Sequence, residues 1–292
     1  MTHALFNKKT ITTLLISCSL ATSVTWAEPN LDYISPMGTE KWKMTGSRLR
    51  CGLSLKIPNY GIAYFEQYAA KEPHFILSIW QQLERKIPAT VYARSPVWKP
   101  RGGDFFISRT TVNPGRYALF LPRDPALKSL AYLSEGFVTR FQYRSDLGLP
   151  VSVSLSPIKF QTPYTRYLQC LGGLLTFDFA SVRESVFLFA TDSHILEPEA
   201  KMQLDRVAEY SHADPQIKRI SIVGYTDDVG RKSYNNAVSE SRAKAVQRYL
   251  LSRGVSTDKL SVTWYGLKDP AQPNDTNAGK AANRRVVVEI IK

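Results

Sequence analysis

Between Gly224 and Arg242 the chain reads GYTDDVGRKSYNNAVSESR, and this stretch gathers the side chains best suited to recognising a charged ligand. Ile220, Ile222 and Val223 feed a strand into it, Thr226–Gly230 punctuates it, and Ser233 predicts a cap for a helix running to about Arg253. Val238, Ala245, Val246, Tyr249 and Leu250 recur at helical spacing and make that helix's buried face. Arg242 lies four residues from both Val238 and Val246, so it belongs to the inward stripe, and Asn235 falls close to the same face. A guanidinium aimed inward needs a partner, because an unpaired buried charge is costly. Asp227, in the loop just before the helix, is the nearest candidate in sequence. A cation and an anion set this way at a loop–helix junction suit a zwitterion, with carboxylate on the Arg fork and ammonium on the Asp. An ordinary structural ion pair explains the spacing as well, and spacing alone leaves both readings open.

Three motifs in order, GYTDDVG, NNAVSESRAKAVQRYLLSRGV and NRRVVVEI, resemble the OmpA-like peptidoglycan-binding domain over about Val186 to Lys292. In that family the aspartate of the TD pair and the arginine of the RA pair grip the diaminopimelate of cell-wall stem peptides. The resemblance implies those roles for Asp227 and Arg242, with Thr226 as the threonine of TD, Asn235 as the asparagine of N-x-x-L-S and Arg284 as the first arginine of NRR. Asp192, in FATDS, sits where the first strand leads into a loop beside the expected pocket. Val238 stands in place of the motif's leucine and Lys268 where an acid is usual; neither touches the expected grip.

The elements that must position these residues read β-α-β-α-β-β: a strand at Phe187–Phe189, a helix from Pro198 to about Tyr210, the central strand, the long helix, Leu260–Tyr265, a Pro/Asn/Gly-rich loop from Leu267 to Lys280, and a last strand Val286–Ile290. Ahead of them, residues 28–176 read as a mainly β, barrel- or sandwich-like domain. Its strands are expected at 48–57, 62–68, 75–83, 89–93, 117–121, 137–143 and 151–155, with helices near 125–134 and 162–171. The expected organisation is therefore a leader over 1–27, a β-rich domain over 28–176 and an α/β OmpA-like domain over 177–292. YISPMGTEKW, LRCGLSLKIPNYGIAYFE and YLQCLGGLLTFDF, in that order, resemble the MotY family of sodium-type flagellar proteins. That resemblance implies a T ring around the flagellar basal body. The first domain would dock on the motor and on a partner called MotX, the second would hold peptidoglycan, and the stators would be kept in place.

Lys8 and Lys9, the apolar run Ile11–Ala21 and Thr25-Trp26-Ala27 predict a secretory signal ending before Glu28, hence a periplasmic location associated with cell wall and outer membrane. Leu15-Ile16-Ser17-Cys18 also fits a lipoprotein box, which would make the chain an outer-membrane tether acylated at Cys18. In either case Cys51 and Cys170 remain, and an oxidising compartment favours one disulfide over two buried thiols. The formal charge is +13, with 17 basic and 10 acidic residues over 28–150 and 19 and 15 over 151–292. Outside the cytoplasm such an excess points to wall polymer and lipid headgroups rather than nucleic acid. The four histidines are scattered with no ligand spacing, so no metal or cofactor is expected. Asp227-Asp228 has no nucleophile beside it, and the expectation is a non-catalytic protein.

Overall fold

Alternation of apolar and polar residues in the first half builds one long, curled antiparallel sheet. In this computed structural model, which describes residues 30–96 and 102–292, the elements of that half are β1 (Leu31–Tyr33), β2 (Trp42–Gly46), β3 (Arg50–Ile57), β4 (Gly61–Tyr68), β5 (His74–Ile79), β6 (Ile87–Arg94), β7 (Asp104–Val112), β8 (Tyr117–Leu121), α1 (Arg123–Ser134), β9 (Val138–Arg144), β10 (Pro150–Leu155) and α2 (Gln161–Gly172). The expected leader and Cys18 lie outside the described residues. Strand order is β1-β10-β9-β6-β7-β8-β5-β4-β3-β2, antiparallel apart from the parallel β1–β10 pair. Several strands send alternate side chains to the concave face: Cys51, Leu53, Leu55 and Ile57 from β3, Ala89, Val91 and Ala93 from β6, Val151, Val153 and Leu155 from β10. Phe75 of β5 stacks on Phe141 of β9 at 5.1 Å although three strands separate them in the sheet, so the sheet curls into a half-barrel that packs against itself. Ala126, Leu130 and Leu133 of α1 and Tyr167 of α2 fill the open side.

A disulfide joins Cys51 in β3 to Cys170 in α2, as expected. The close approach of α2 to β2 depends on Gly46, where a Cβ would lie 2.3 Å from the Cys170 Sγ. Both expected helices are present, and Gly136 (φ 85°) ends α1 in the left-handed conformation that glycine adopts without strain. Three strands were not expected: β1, β2 and β7. A bulge between Val91 and Tyr92 shifts the β6–β7 register, so β7 runs Phe105, Phe106 exposed and Ile107 buried, which hides its period-two pattern.

The second half comprises β11 (Glu184–Leu188), α3 (Pro198–Ala213), β12 (Arg219–Tyr225), α4 (Lys232–Ser252), β13 (Leu260–Gly266), α5 (Asn277–Asn283) and β14 (Arg285–Ile291). The sheet order is β11-β14-β12-β13, with β12 and β13 parallel and β14 antiparallel to both of its neighbours. Phe187, Ile220, Ile222, Val286, Val288 and Ile290 pack beneath α3 and α4 through Leu204, Val207, Val246 and Leu250. The expected β-α-β-α-β-β order holds with one addition: the 267–280 stretch ends in α5, capped by the Thr276 hydroxyl, which accepts from Gly279 N at 3.0 Å. Ser233 is not a cap; α4 begins at Lys232 behind Arg231 with no side-chain cap. Leu49 and Ala69 from the first half pack into this second core, and Leu175 N donates to Arg48 O at 2.9 Å where the chain passes between the halves.

Candidate functional site

Gly224 decides where the inward guanidinium sits. A Cβ there would fall 2.2 Å from the Ser239 carbonyl oxygen and 3.2 Å from Ala243 Cβ, so only glycine lets α4 lie this close to β12. The helix then turns Asn235, Ser239, Arg242, Ala243, Val246 and Leu250 inward. Arg242 is 1% exposed. Its Nε donates to Ser193 O at 2.8 Å, one terminal nitrogen to Ala190 O at 2.9 Å and the other to Tyr225 O at 3.3 Å, which leaves donors of the fork unspent. The Phe189 ring lies 5.5 Å from its guanidinium carbon. Neutral carbonyls hydrate the group but do not cancel its charge. Burial accordingly pulls its pKa down to about 10, with Asp227 opposing the shift and Arg284 adding to it, and it stays a cation at neutral pH.

Asp227 takes a different partner from the one its sequence neighbourhood suggests. Its Oδ2 accepts from Arg284 at 3.0 Å and its Oδ1 from Val229 N at 3.3 Å. Arg284, at the junction of α5 and β14, also donates through Nε to Phe189 O at 3.1 Å. The backbone carbonyls at 190, 193 and 225 accept from Arg242, and the aspartate is neutralised by the arginine just ahead of the last strand. Arg242 remains an electrostatic neighbour of Asp227 and not its ion-pair partner.

All six residues singled out from the sequence (Asp192, Thr226, Asp227, Asn235, Arg242 and Arg284) line one hollow of about 190 Å³. Thr226 Oγ1 is buried there without a hydrogen-bond partner. Asn235 is buried, its Nδ2 donating to Gly230 O at 3.5 Å. Asp192 adopts φ 53° and accepts the Tyr234 hydroxyl at 2.9 Å on its Oδ1. Tyr234 lines the same hollow and was not singled out, although it directly precedes Asn235 in the motif stretch. The hollow therefore offers two guanidinium groups, two carboxylates and an unsatisfied hydroxyl within one concave surface. A larger hollow of about 490 Å³ lies between the halves, but its charges are already paired: Lys71 with Asp178, Lys292 with Asp214 and Arg50 with Glu66. Among the described residues no group of three His, Cys, Asp or Glu could hold a metal ion, and no helix is long and apolar enough to cross a membrane.

A four-stranded β11-β14-β12-β13 sheet with a charged hollow at the β12–α4 junction defines an OmpA-like module, and residues 188–284 match the OmpA family. The chain as a whole is of the MotY type with this module at its C-terminal end: residues 33–176 match the MotY N-terminal domain. It is 25% identical over 281 residues to the sodium-type flagellar protein MotY of Vibrio parahaemolyticus, covering 94% of this chain and 95% of that one. It is also 41% identical over 110 residues to the peptidoglycan-associated lipoprotein of Pseudomonas aeruginosa, 37% of this chain and 64% of that protein. Among solved structures, the peptidoglycan-associated lipoprotein from Burkholderia pseudomallei aligns at 30% identity over 36% of this chain and 89% of its own, with a TM-score of 0.35.

Proposed function

We propose that this chain is a non-catalytic periplasmic adaptor of the flagellar motor. Its 177–292 domain holds peptidoglycan, and its 28–176 domain docks a ring on the basal body and a MotX-like partner, which keeps stators anchored. The observation that carries this reading is the shared hollow, in which Arg242 keeps donors free while Asp227 and Asp192 supply anions. A diaminopimelate centre carries a carboxylate and an ammonium on one carbon. The carboxylate meets Arg242, the ammonium meets the Asp227–Asp192 side, and Thr226 Oγ1 gains the partner it lacks. Arg284 holds Asp227 in place and limits how much of its charge the ligand must neutralise. Binding makes and breaks no covalent bond.

Sedimentation with purified sacculi tests the site. Asp227→Ala and Arg242→Ala each lose on the order of 2–5 kcal/mol of affinity, because each leaves the ligand group of opposite charge without its partner in the bound state. Unchanged co-sedimentation in both variants overturns the site assignment. A deletion strain with assembled but non-rotating flagella supports the motor role. Normal swimming, together with a mature N-terminus acylated at Cys18, supports an outer-membrane tether instead.

A further inference from the structure

Helices α1 and α2 fill the concave side of the half-barrel, and among the described residues no helix covers the convex side of β2, β3, β4, β5 and β8. Strand register fixes what that side presents. One row runs Lys43, Ser54, Tyr64, Ile76 and Phe120 across the five strands, and the next runs Lys56, Ile62, Ser78 and Tyr117. Tyr117 is 66% exposed, Phe120 51%, Tyr68 41%, and Trp80, at the end of β5, 52%. A single exposed ring needs no explanation. Four on one sheet face leave on the order of 400 Å² of ring surface in water, which marks an interaction surface.

The rings turn their faces to one another or to a cation. Tyr68 and His74 stack at 6.2 Å with 7° between their planes, and His74 lies 5.5 Å from Phe120. Arg50 lies over Tyr68 at 5.4 Å, Lys56 over Trp80 at 5.5 Å and Arg116 over Tyr117 at 5.9 Å. Ring edges are what remain for a ligand, so the face is no platform for stacking a sugar. Its charge is positive. Lys43, Lys56 and Arg116 make no ion pair among the described residues. Glu66, the acid that faces outward from these strands, is 5% exposed and spent on Arg50. At the rim, Glu72 and Asp124 are both held by Arg123, and beyond Trp80 Glu84 is matched by Lys86.

We propose that this convex face is a peripheral membrane-binding surface for anionic phospholipid headgroups. Trp80, Tyr117 and Phe120 enter the headgroup layer edge first, and Lys43, Lys56 and Arg116 meet its phosphates with their stems laid along the rings. Exposed Trp and Tyr beside unpaired Lys and Arg suit the boundary between lipid and water. Shape favours the same occupant: a headgroup layer conforms to a bulging sheet, whereas a protein partner needs a concave surface built to match it. The face lies on the half-barrel and uses no residue of the wall-binding hollow, so sacculus binding reads the two sites separately.

The test is flotation of the purified protein with phosphatidylcholine vesicles, with and without about one third phosphatidylglycerol. Expected are binding to the anionic vesicles that falls as salt rises, and only weak binding to the neutral ones. Lipid brominated near the headgroup quenches tryptophan fluorescence, and Trp80→Phe removes that quenching. Phe120→Ser and Lys56→Glu each weaken vesicle binding roughly tenfold, while thermal unfolding and sacculus binding stay at wild type. Equal binding to neutral vesicles, quenching that persists in Trp80→Phe, or unchanged affinity in both other variants overturns the proposal. Absence of binding to either vesicle overturns it and leaves the face to a protein partner. So does concentration-dependent self-association lost in Phe120→Ser, which assigns the face to a second copy of the chain.

Discussion

Removing the Asp227 carboxylate separates the observed pairing from the one that sequence proximity suggests. At an effective dielectric of about 20, unit charges 3.0 Å apart attract by about 5 kcal/mol. The two side chains are 8% and 16% exposed, so solvent screens only part of this, and a coupling of about 2–3 kcal/mol is expected. Asp227→Ala alone leaves Arg284 and Arg242 facing each other with no anion between them, and unfolding stability falls by about 3 kcal/mol. A double-mutant cycle by urea denaturation measures the coupling directly, with Arg284→Met and Arg242→Met as second partners and constant m-values as the control. The structure requires the 227–284 coupling to exceed the 227–242 coupling by about 1 kcal/mol or more. Equal couplings, or a larger one to Arg242, refute the assignment of Arg284 as the aspartate's partner.

Four further variants probe the packing and the charges. Gly224→Ala places a methyl against the Ser239 carbonyl, so stability drops by about 1–3 kcal/mol in denaturation and sacculus co-sedimentation weakens as Arg242 shifts. Gly46→Ala pushes on the Cys170 sulfur, so thiol titration of the unfolded protein finds Cys51 and Cys170 free in a fraction of molecules where the wild type has them joined; Cys170→Ser, which opens a loop spanning 119 positions, costs about 3–5 kcal/mol. Asp214 is buried, which raises its pKa, but Lys292 at 2.7 Å and the Gln216 N–H outweigh this and hold the carboxyl below its usual range. A carboxylate depressed on folding stabilises above its unfolded pKa of about 3.9 and loses that contribution as pH falls through the lower folded value. Asp214→Asn therefore flattens the acid limb of stability measured from neutrality to about pH 2.

Much of the site could be read from residue types alone because it is built on one helix and the strand before it. Arg242 and Asn235 were placed inward by counting turns, and both are buried. The aspartate's partner was not legible that way: Arg284 comes from 57 positions later, and only the sheet order that sets β14 between β11 and β12 brings it near. The half-barrel strands rich in buried apolar residues, such as β3 and β8, lie within two residues of the expected bounds. The three unexpected strands lack that signal: β1 is three residues long, β2 buries only Trp42, and β7 is broken by a bulge. Helix α5 hides inside a Pro/Asn/Gly run because Asn277–Asn283 buries only Gly279 and Asn283; Thr276 was the readable sign of its start.

The Cys51–Cys170 bond has a mechanical corollary. Leu175, just after α2, hydrogen-bonds to Arg48, just before β3, so the crosslink and the crossing point between the halves are neighbours. Tension applied to the OmpA-like module and resisted near the start of β3 enters at Cys170 and leaves through Cys51. The half-barrel enclosed between those two sulfurs hangs off the line of force and keeps its shape, as a bead tied beside a taut cord does.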